Sequence, residues 1–448
     1  MTLEEVRKVL EQNEVRRIKL GAYDIDGTLR GKYISKEKFD SAAQSGLGFC
    51  DVIFGWDIGD VLYDNVQFTG WHTGYPDAHC RIALDTFRLI PWEPGTAFFL
   101  MDFVTRDGQP LPIAPRQVLQ CVVARADELG YGPHFSAEYE FFFFRETPDS
   151  LRAKNFRGLT PLTPGMFGYS VLRASANSGL VLQMLDQLPA FNCALEGLHT
   201  ETGPGVYEAA IAVDEAVAAA DKAALFKTAI KEIAVRHGLV PTFMAKWNPD
   251  LPGSSGHLHQ SLWDSAKHKN LFHTAEAGGM SGLMRHYIAG LVTNLPELTA
   301  VICPTINSYK RTVPGAWAPV NATWGVDNRT TAVRAIPGGS KSTRIELRLA
   351  GADINPYLAM AASLAAGLDG IERKLTPPPA TVNAYAGDAA PLPRTLAAAT
   401  KLFRESAMAR RWLGDAFVDH YAATREWEVR QYEKAVTDWE LARYFESV

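Results

Sequence analysis

Hydrophobic and polar positions divide the chain into a strand-rich beginning and a longer stretch where strands and helices alternate. Met1 to Asn13 carries charges at helical spacing, and Arg17 to Asp26 reads as a strand. Asp26-Gly27 reads as a hairpin-type turn into a second strand, Thr28 to Ile34. Further short strands are predicted around Arg81 to Ile90 and Ala97 to Val104. Gly108, Pro110 and Pro112 mark Arg106 to Pro112 as a linker, so a small β-rich domain is expected over 1–108 and a larger one over 109–448.

Past the linker, Pro115 suits a first helical position, where a missing N–H costs nothing. Leu119, Val122, Val123 and Ala126 follow at helical spacing, and Gly130 ends the run. His134 to Phe144 is an aromatic strand. Leu225, Phe226, Ile230, Ile233 and Ala234 share one face of a long helix closed by Gly238. Asn355-Pro356 pairs an N-cap with a first-turn proline and opens an alanine-rich helix to about Gly370. Pro377 to Pro393 reads as a surface excursion before C-terminal helices. Strands bearing glutamates alternate with helices, which predicts an α+β domain with a sheet as its working surface.

Composition narrows this picture. The 448 residues are 47% hydrophobic and 21% charged, with a net charge of −5, so there is no polybasic footprint for nucleic acid. Cys50, Cys80, Cys121, Cys193 and Cys303 are odd in number and lack CxxC spacing, which disfavours a disulfide framework or zinc knuckle. No apolar leader and no run of about 20 apolar residues is present, so a cytoplasmic protein without a membrane segment is expected.

Four constellations carry candidate chemistry. Alternation puts Glu138 and Glu140 on one strand face, with Tyr139, Phe141 and Phe143 behind. Two neighbouring carboxylates repel unless a cation lies between them, and Mg²⁺ or Mn²⁺ favours such oxygen ligands. Glu201 and Glu208 bracket a Gly-Pro-Gly turn that can bring them together. Gly253 to Ser261 runs from a small-residue loop into His257 and His259, spaced to share a face, one for metal and one for phosphate. Lys310, Arg311, Arg329, Arg334, Lys341, Arg344 and Arg348 then concentrate positive charge, and guanidinium forks suit carboxylate and phosphate. Taken singly, each has a bland counterpart: a solvated edge strand, an exposed loop, a structural histidine pair, a charged surface. Their succession favours a site for metal, phosphate and carboxylate.

These motifs, in order from about residue 100 to 375, resemble those of the glutamine synthetases. The resemblance implies a small N-terminal β-grasp domain, more faintly matched, and a large catalytic domain with a curved antiparallel sheet. It implies ATP, two or three Mg²⁺ or Mn²⁺ ions per site, and a homo-oligomer of stacked rings, a dodecamer, with sites between subunits. By position, Glu140, Glu201 and Glu208 match the ligands of one metal, and Glu138, His257 and Glu346 those of a second. His259, Ser261, Arg329, Arg334, Lys341 and Arg344 fall with the nucleotide and phosphate contacts. Gly253, Arg311 and Arg348 fall with the contacts to the substrate carboxylates and transferred phosphate, and Asp57 with an aspartate lent by a neighbouring subunit. The implied reaction is phosphorylation of a glutamate γ-carboxylate by ATP, then attack by an amine.

The sequence departs from the family at the flap. Gly315-Ala316-Trp317-Ala318-Pro319 stands where glutamine synthetases carry Gly-Tyr-Glu-Ala-Pro. An indole has neither the charge nor the basicity to take a proton from ammonium, but it offers apolar and cation–π surface to an organic amine. Thr200 and Val206 replace a common His and Gln, and the regulatory Tyr-Asp-Leu-Pro-Pro tail segment is missing. The expected branch is therefore the γ-glutamyl-amide ligases. Alternatives are ammonium-using glutamine synthetase, a catalytically silent relative, and a metal-dependent hydrolase, which the arginine series and the lack of a nucleophile motif disfavour.

Overall fold

The computed structural model describes residues 1–276, 278–384 and 389–448. Its first sheet contains β1 (Arg17–Tyr23), β2 (Leu29–Ile34), β3 (Leu47–Cys50), β4 (Asp77–Leu89) and β5 (Thr96–Val104), in the order β2-β1-β5-β4-β3. β1 and β5 run parallel, and helices Leu3–Gln12 and Lys36–Ser45 pack beside them. The turn between β1 and β2 is longer than the two-residue hairpin predicted. Asp24 turns its carboxylate inward, where Oδ1 accepts from the N–H groups of Asp26 and Thr28 at 3.1 and 2.8 Å, and Gly27 takes φ +77°.

The second sheet contains β6 (Tyr131–Phe144), β7 (Leu195–Thr200), β8 (Val206–Ile211), β9 (Asp214–Glu215), β10 (Val240–Thr242), β11 (Gly256–Asp264), β12 (Trp324–Val326), β13 (Val333–Ile336) and β14 (Arg344–Leu347). Its main path is β12-β13-β14-β11-β6-β8-β7, with β9 and β10 also pairing β6. The sheet is the curved, mainly antiparallel one expected, with one parallel pair, β12 and β13, at its edge. In the turn between them Asn328 accepts from Thr330 N–H at 2.9 Å and donates to the Thr381 carbonyl at 2.9 Å.

Helices cover the back of this sheet. Pro115–Glu128 begins at its proline, and Gly130 follows it at φ +84°. Ala216–Arg236 carries the apolar face read from the sequence. Pro356–Glu372 is buried from Pro356 to Gly370. Its cap residue Asn355 accepts from Tyr357 N–H at 3.2 Å and donates to the carbonyls of Asp24 and Ile25, tying the helix to the first sheet. Against it lies Gly282–Ile302. A Cβ on Gly290 would collide with the Ala366 carbonyl and come within 2.7 Å of Gly370 Cα, so only glycine permits this approach.

One hydrophobic core runs under both sheets. Ion pairs reinforce the junction: Lys19 with Glu232 at 3.0 Å, and Arg116 with Asp102 and Asp221 at 2.6 and 2.9 Å. The late helix Asp415–Glu433 then returns to the first sheet, pairing Arg425 with Asp26 at 2.6 Å. The Pro377–Pro393 stretch is tethered where it is described, by Trp324 Nε1–H to the Pro378 carbonyl at 2.7 Å; its residues 385–388 lie outside the described residues. Among the described residues no helix is long and apolar enough to cross a membrane.

Candidate active site

Alternation on β6 works as the sequence suggests. Tyr139, Phe141 and Phe143 are fully buried, while Glu138 and Glu140 are half-buried on the opposite face. Register across the sheet then assembles the rest. Glu140 lies opposite Glu208, and Glu208 opposite His199. Glu138 lies opposite His257; Glu346 lies opposite His259 on one side and Arg334 on the other. Ile345 and Leu347 are buried behind Glu346. Residues far apart in sequence thus share one face because each sits at a fixed parity on its strand.

Two groups of donors result. In the first, His199 Nδ1 lies 3.8 Å from Glu201, and its Nε2 lies 3.8 Å from Glu208. Donor atoms from His199, Glu201 and Glu208 all lie within 4.8 Å of one another. Glu140 adjoins them, accepting from Ser255 N–H at 2.7 Å. Burial, and then the charges of Glu140, Glu138, Glu201 and Glu346, push Glu208 up to about 9. Burial likewise raises Glu140, against the opposing pull of Ser255 and Arg311. Carboxylates this crowded call for a counter-cation, and an oxygen-rich set with one imidazole suits Mg²⁺ or Mn²⁺.

In the second group, His257 Nδ1 lies 3.2 Å from Glu346 and 3.6 Å from Glu138, and His259 Nε2 lies 3.1 Å from Glu138. Burial opposes ionisation of Glu138, but the two histidines beside it hold it well below the usual carboxylate range. Glu346 is drawn down to about 2, since His257, Arg348 and His259 outweigh its burial. Arg334 Nη1 donates to it at 2.9 Å, and Arg348 also pairs with it.

The two histidines differ in the lone pairs they can offer. Arg344 Nε donates to His259 Nδ1 at 3.0 Å. Guanidinium never accepts, so His259 carries its proton on Nε2, facing Glu138. His257 accepts from no such donor, whereas Nε2 is buried without a hydrogen-bond partner among the described residues in both rings. Burial and then Arg348 draw His257 down to about 4, which keeps it neutral and able to ligate. Donor proximity groups Glu138, His259 and Glu346; the Arg344 contact occupies Nδ1 of His259 and leaves His257 as the ring whose lone pair no such donor engages.

The remaining residues scatter around these groups. Arg311 is buried and turned inward, donating to the Leu349 carbonyl at 2.9 Å and to Ser255 Oγ at 3.1 Å, with its carbon stem against Gly253. Arg348 Nε donates to the Arg329 carbonyl at 2.9 Å, and Ser261 Oγ accepts from Trp263 Nε1–H at 3.0 Å. The side chains of Arg329 and Lys341 are exposed. Trp317 is 66% exposed with φ +56°, its indole presented to solvent. Asp57 stands apart, accepting from Trp427 Nε1–H at 2.9 Å and from the N–H groups of Gly59 and Val61.

Sequence reading missed two residues. His199 joins the first donor group because β7 pairs with β8; only its spacing of two from Glu201 hinted at this. Tyr169 stacks on His199 with ring centroids 4.3 Å apart, while 67% exposed and at φ +54°, a costly conformation for a tyrosine. No local pattern announced it.

Residues 112–444 match the family model described as the glutamine synthetase catalytic domain. Type-1 glutamine synthetase 2 of Dictyostelium discoideum is 50% identical over 438 residues, covering 96% of this chain and 84% of that protein. Glutamate–isopropylamine ligase of a Pseudomonas species is 41% identical over 448 residues, covering 99% of this chain and 98% of its own. Gamma-glutamylethanolamide synthetase GlnA4 of Streptomyces coelicolor is 39% identical, covering 99% and 96%. A solved GmaS/ADP complex superposes with a TM-score of 0.86 at 28% identity, covering 98% of each chain.

Proposed function

The chain belongs to the glutamine synthetase family, and from that premise we propose that it joins the γ-carboxylate of glutamate to an organic amine at the expense of ATP. The observation that carries the reading is the single sheet face on which two carboxylate–histidine groups adjoin a set of arginines. Glu140, Glu201 and Glu208 would hold one divalent ion, with His199 beside them, and Glu138, His257 and Glu346 would hold a second. Ions bound there supply the positive charge that phosphoryl transfer between two anions requires. Arg334, Arg344 and Arg329, with His259, Ser261 and Lys341, line the side assigned to nucleotide. Arg344 fixes the tautomer of His259, which turns its N–H toward Glu138 at the border between the second ion and the nucleotide. Arg348, Arg311 and Gly253 hold the substrate carboxylates, and Arg348 and Arg329 stabilise charge on the γ-glutamyl phosphate. Asp57 is assigned to a neighbouring subunit's site in a ring-shaped homo-oligomer, and the compartment to the cytoplasm.

The organic acceptor rests on Trp317, exposed in the flap where a glutamate would serve ammonium, and on two relatives named for isopropylamine and ethanolamide. The Dictyostelium relative, named a glutamine synthetase, favours ammonium as the second reading. Phosphate release with ATP, Mg²⁺ or Mn²⁺ and glutamate, across methylamine, isopropylamine, ethanolamine and ammonium, separates them. An alkylamine is expected to give the highest kcat/KM. Ammonium as the best acceptor would overturn the organic-amine reading, and no turnover with any acceptor would overturn catalysis itself.

A further inference from the structure

Behind β6, on the face opposite the glutamates, lies a cavity of about 520 Å³ bounded by the Asp24–Thr28 turn, helix Ala216–Arg236 and the segment after β10. Its size is that of a small-molecule site. Lys227 and Lys231 both line it, one helical turn apart on Ala216–Arg236. Lys227 is half-buried; its Nζ donates to the Ile354 carbonyl at 2.9 Å and sits 5.5 Å from the Tyr139 ring centroid and 5.7 Å from that of Phe243. Lys231 approaches the Phe243 ring at 5.9 Å. Neither lysine has a carboxylate within ion-pair distance among the described residues, whereas Lys222 on the same helix is paired with Asp214 at 2.7 Å.

Two acids also line it. Asp26 is held by Arg425, and Asp353 Oδ2 accepts from the hydroxyls of Thr305 and Ser308 at 2.8 and 2.6 Å, while its Oδ1 is buried without a hydrogen-bond partner among the described residues. That leaves the cavity with one positive charge in excess. Setting the Asp26–Arg425 pair aside, two ammonium groups face the single carboxylate of Asp353, which lies beyond ion-pair distance, and like charges on one helix face destabilise the empty pocket. Desolvation, and then the charge of Lys231, draw Lys227 down to about 7, against the opposing pull of Asp353. Ile25, Pro241, Phe243 and Met244 give the walls apolar surface, and no arginine fork lines the cavity to match a phosphate.

We propose that this cavity binds a small organic monocarboxylate, its carboxylate between Lys227 and Lys231 and its apolar body against Phe243 and Pro241. Such a ligand supplies the missing negative charge and buries apolar surface. Lys227 also lies over the ring of Tyr139, the residue between Glu138 and Glu140 on β6, so a ligand that engages this ammonium is placed to bias the site on the other face.

The test is calorimetric titration of the full-length protein with benzoate and with hexanoate, with inorganic phosphate as the control. Saturable binding of at least one carboxylate, tighter than phosphate, is expected. It should persist at saturating glutamate and weaken about tenfold or more in K231M and K227M, each losing one charge-assisted contact. K231M changes an exposed side chain, so its result stands even if K227M folds poorly. No binding of either carboxylate, equal binding of phosphate, displacement by glutamate, or an unchanged affinity in K231M would each overturn the proposal.

Discussion

Replacing Glu208 with glutamine should change how stability responds to pH when divalent ions are stripped by chelator. In the folded protein Glu208 titrates near 9, because it is buried among Glu140, Glu138, Glu201 and Glu346; its ordinary value is 4.5. Between those values the folded state keeps a proton that the unfolded chain has released. Stability from this group is therefore complete below pH 4.5 and is lost as pH rises, by about 1.4 kcal/mol per pH unit. Lys227 acts the other way above about 7, since its folded ammonium gives up a proton that the unfolded chain keeps. The wild-type curve alone mixes the two, and the difference between wild type and Glu208→Gln isolates the carboxyl. Urea unfolding from pH 6.5 to 8 should show the variant gaining about 2 kcal/mol relative to wild type. Titrating Mn²⁺ into the wild type at pH 7.5, in buffers of different ionisation enthalpy, should also release about one proton, which the variant lacks. A difference in stability that is flat with pH, together with no proton release, would refute the crowding argument.

Trp317→Glu should raise kcat/KM for ammonium relative to isopropylamine, and an unchanged ratio would remove Trp317 from the acceptor site. Arg344→Met frees His259 Nδ1 and should raise KM for ATP about tenfold or more while leaving Mn²⁺ affinity within about threefold, one lost charged hydrogen bond being the cause. Equal losses in both would mean that His259, rather than His257, holds the ion. Gly290→Ala should destabilise by about 2–3 kcal/mol in thermal unfolding, because the new methyl meets the Ala366 carbonyl and Gly370; a neutral result would mean that the two helices separate easily.

How far the sequence discloses this site depends on the distance over which each signal acts. The faces of β6 were legible because alternation is a property of one strand, and Glu138 and Glu140 needed no partner to be placed. Pro115, Asn355 and Gly130 announced helix ends for the same local reason. His199 was not legible, since its meeting with Glu208 requires the pairing of β7 with β8. The separate roles of His257 and His259 depend on Arg344, a β14 residue whose contact across the sheet no spacing encodes. Arg311 looked like an open cation in the sequence, yet it is turned into the backbone around Leu349 and Ser255. The Lys227–Lys231 pocket was not legible either, because a cavity belongs to the packing of several elements.

The return of helix Asp415–Glu433 to the first sheet has a consequence for the order in which the molecule can be completed. Arg425 meets Asp26 across 399 residues, Trp427 meets Asp57 across 370, and Asn65 reaches the Ala423 carbonyl across 358. Closing loops that long costs little more entropy than closing loops half as long, but the partners are synthesised more than 350 residues after the turn they meet. Until they arrive, Asp26 lacks its counter-charge in a turn whose Asp24 and Ile25 carbonyls hold Asn355, the cap of the buried Pro356–Glu372 helix. A chain stopped before Asp415 would keep every ligand proposed here and still lose the restraint on that cap. Helix Asp415–Glu433 thus locks from outside a junction that Asn355, Lys19 and Arg116 make from within.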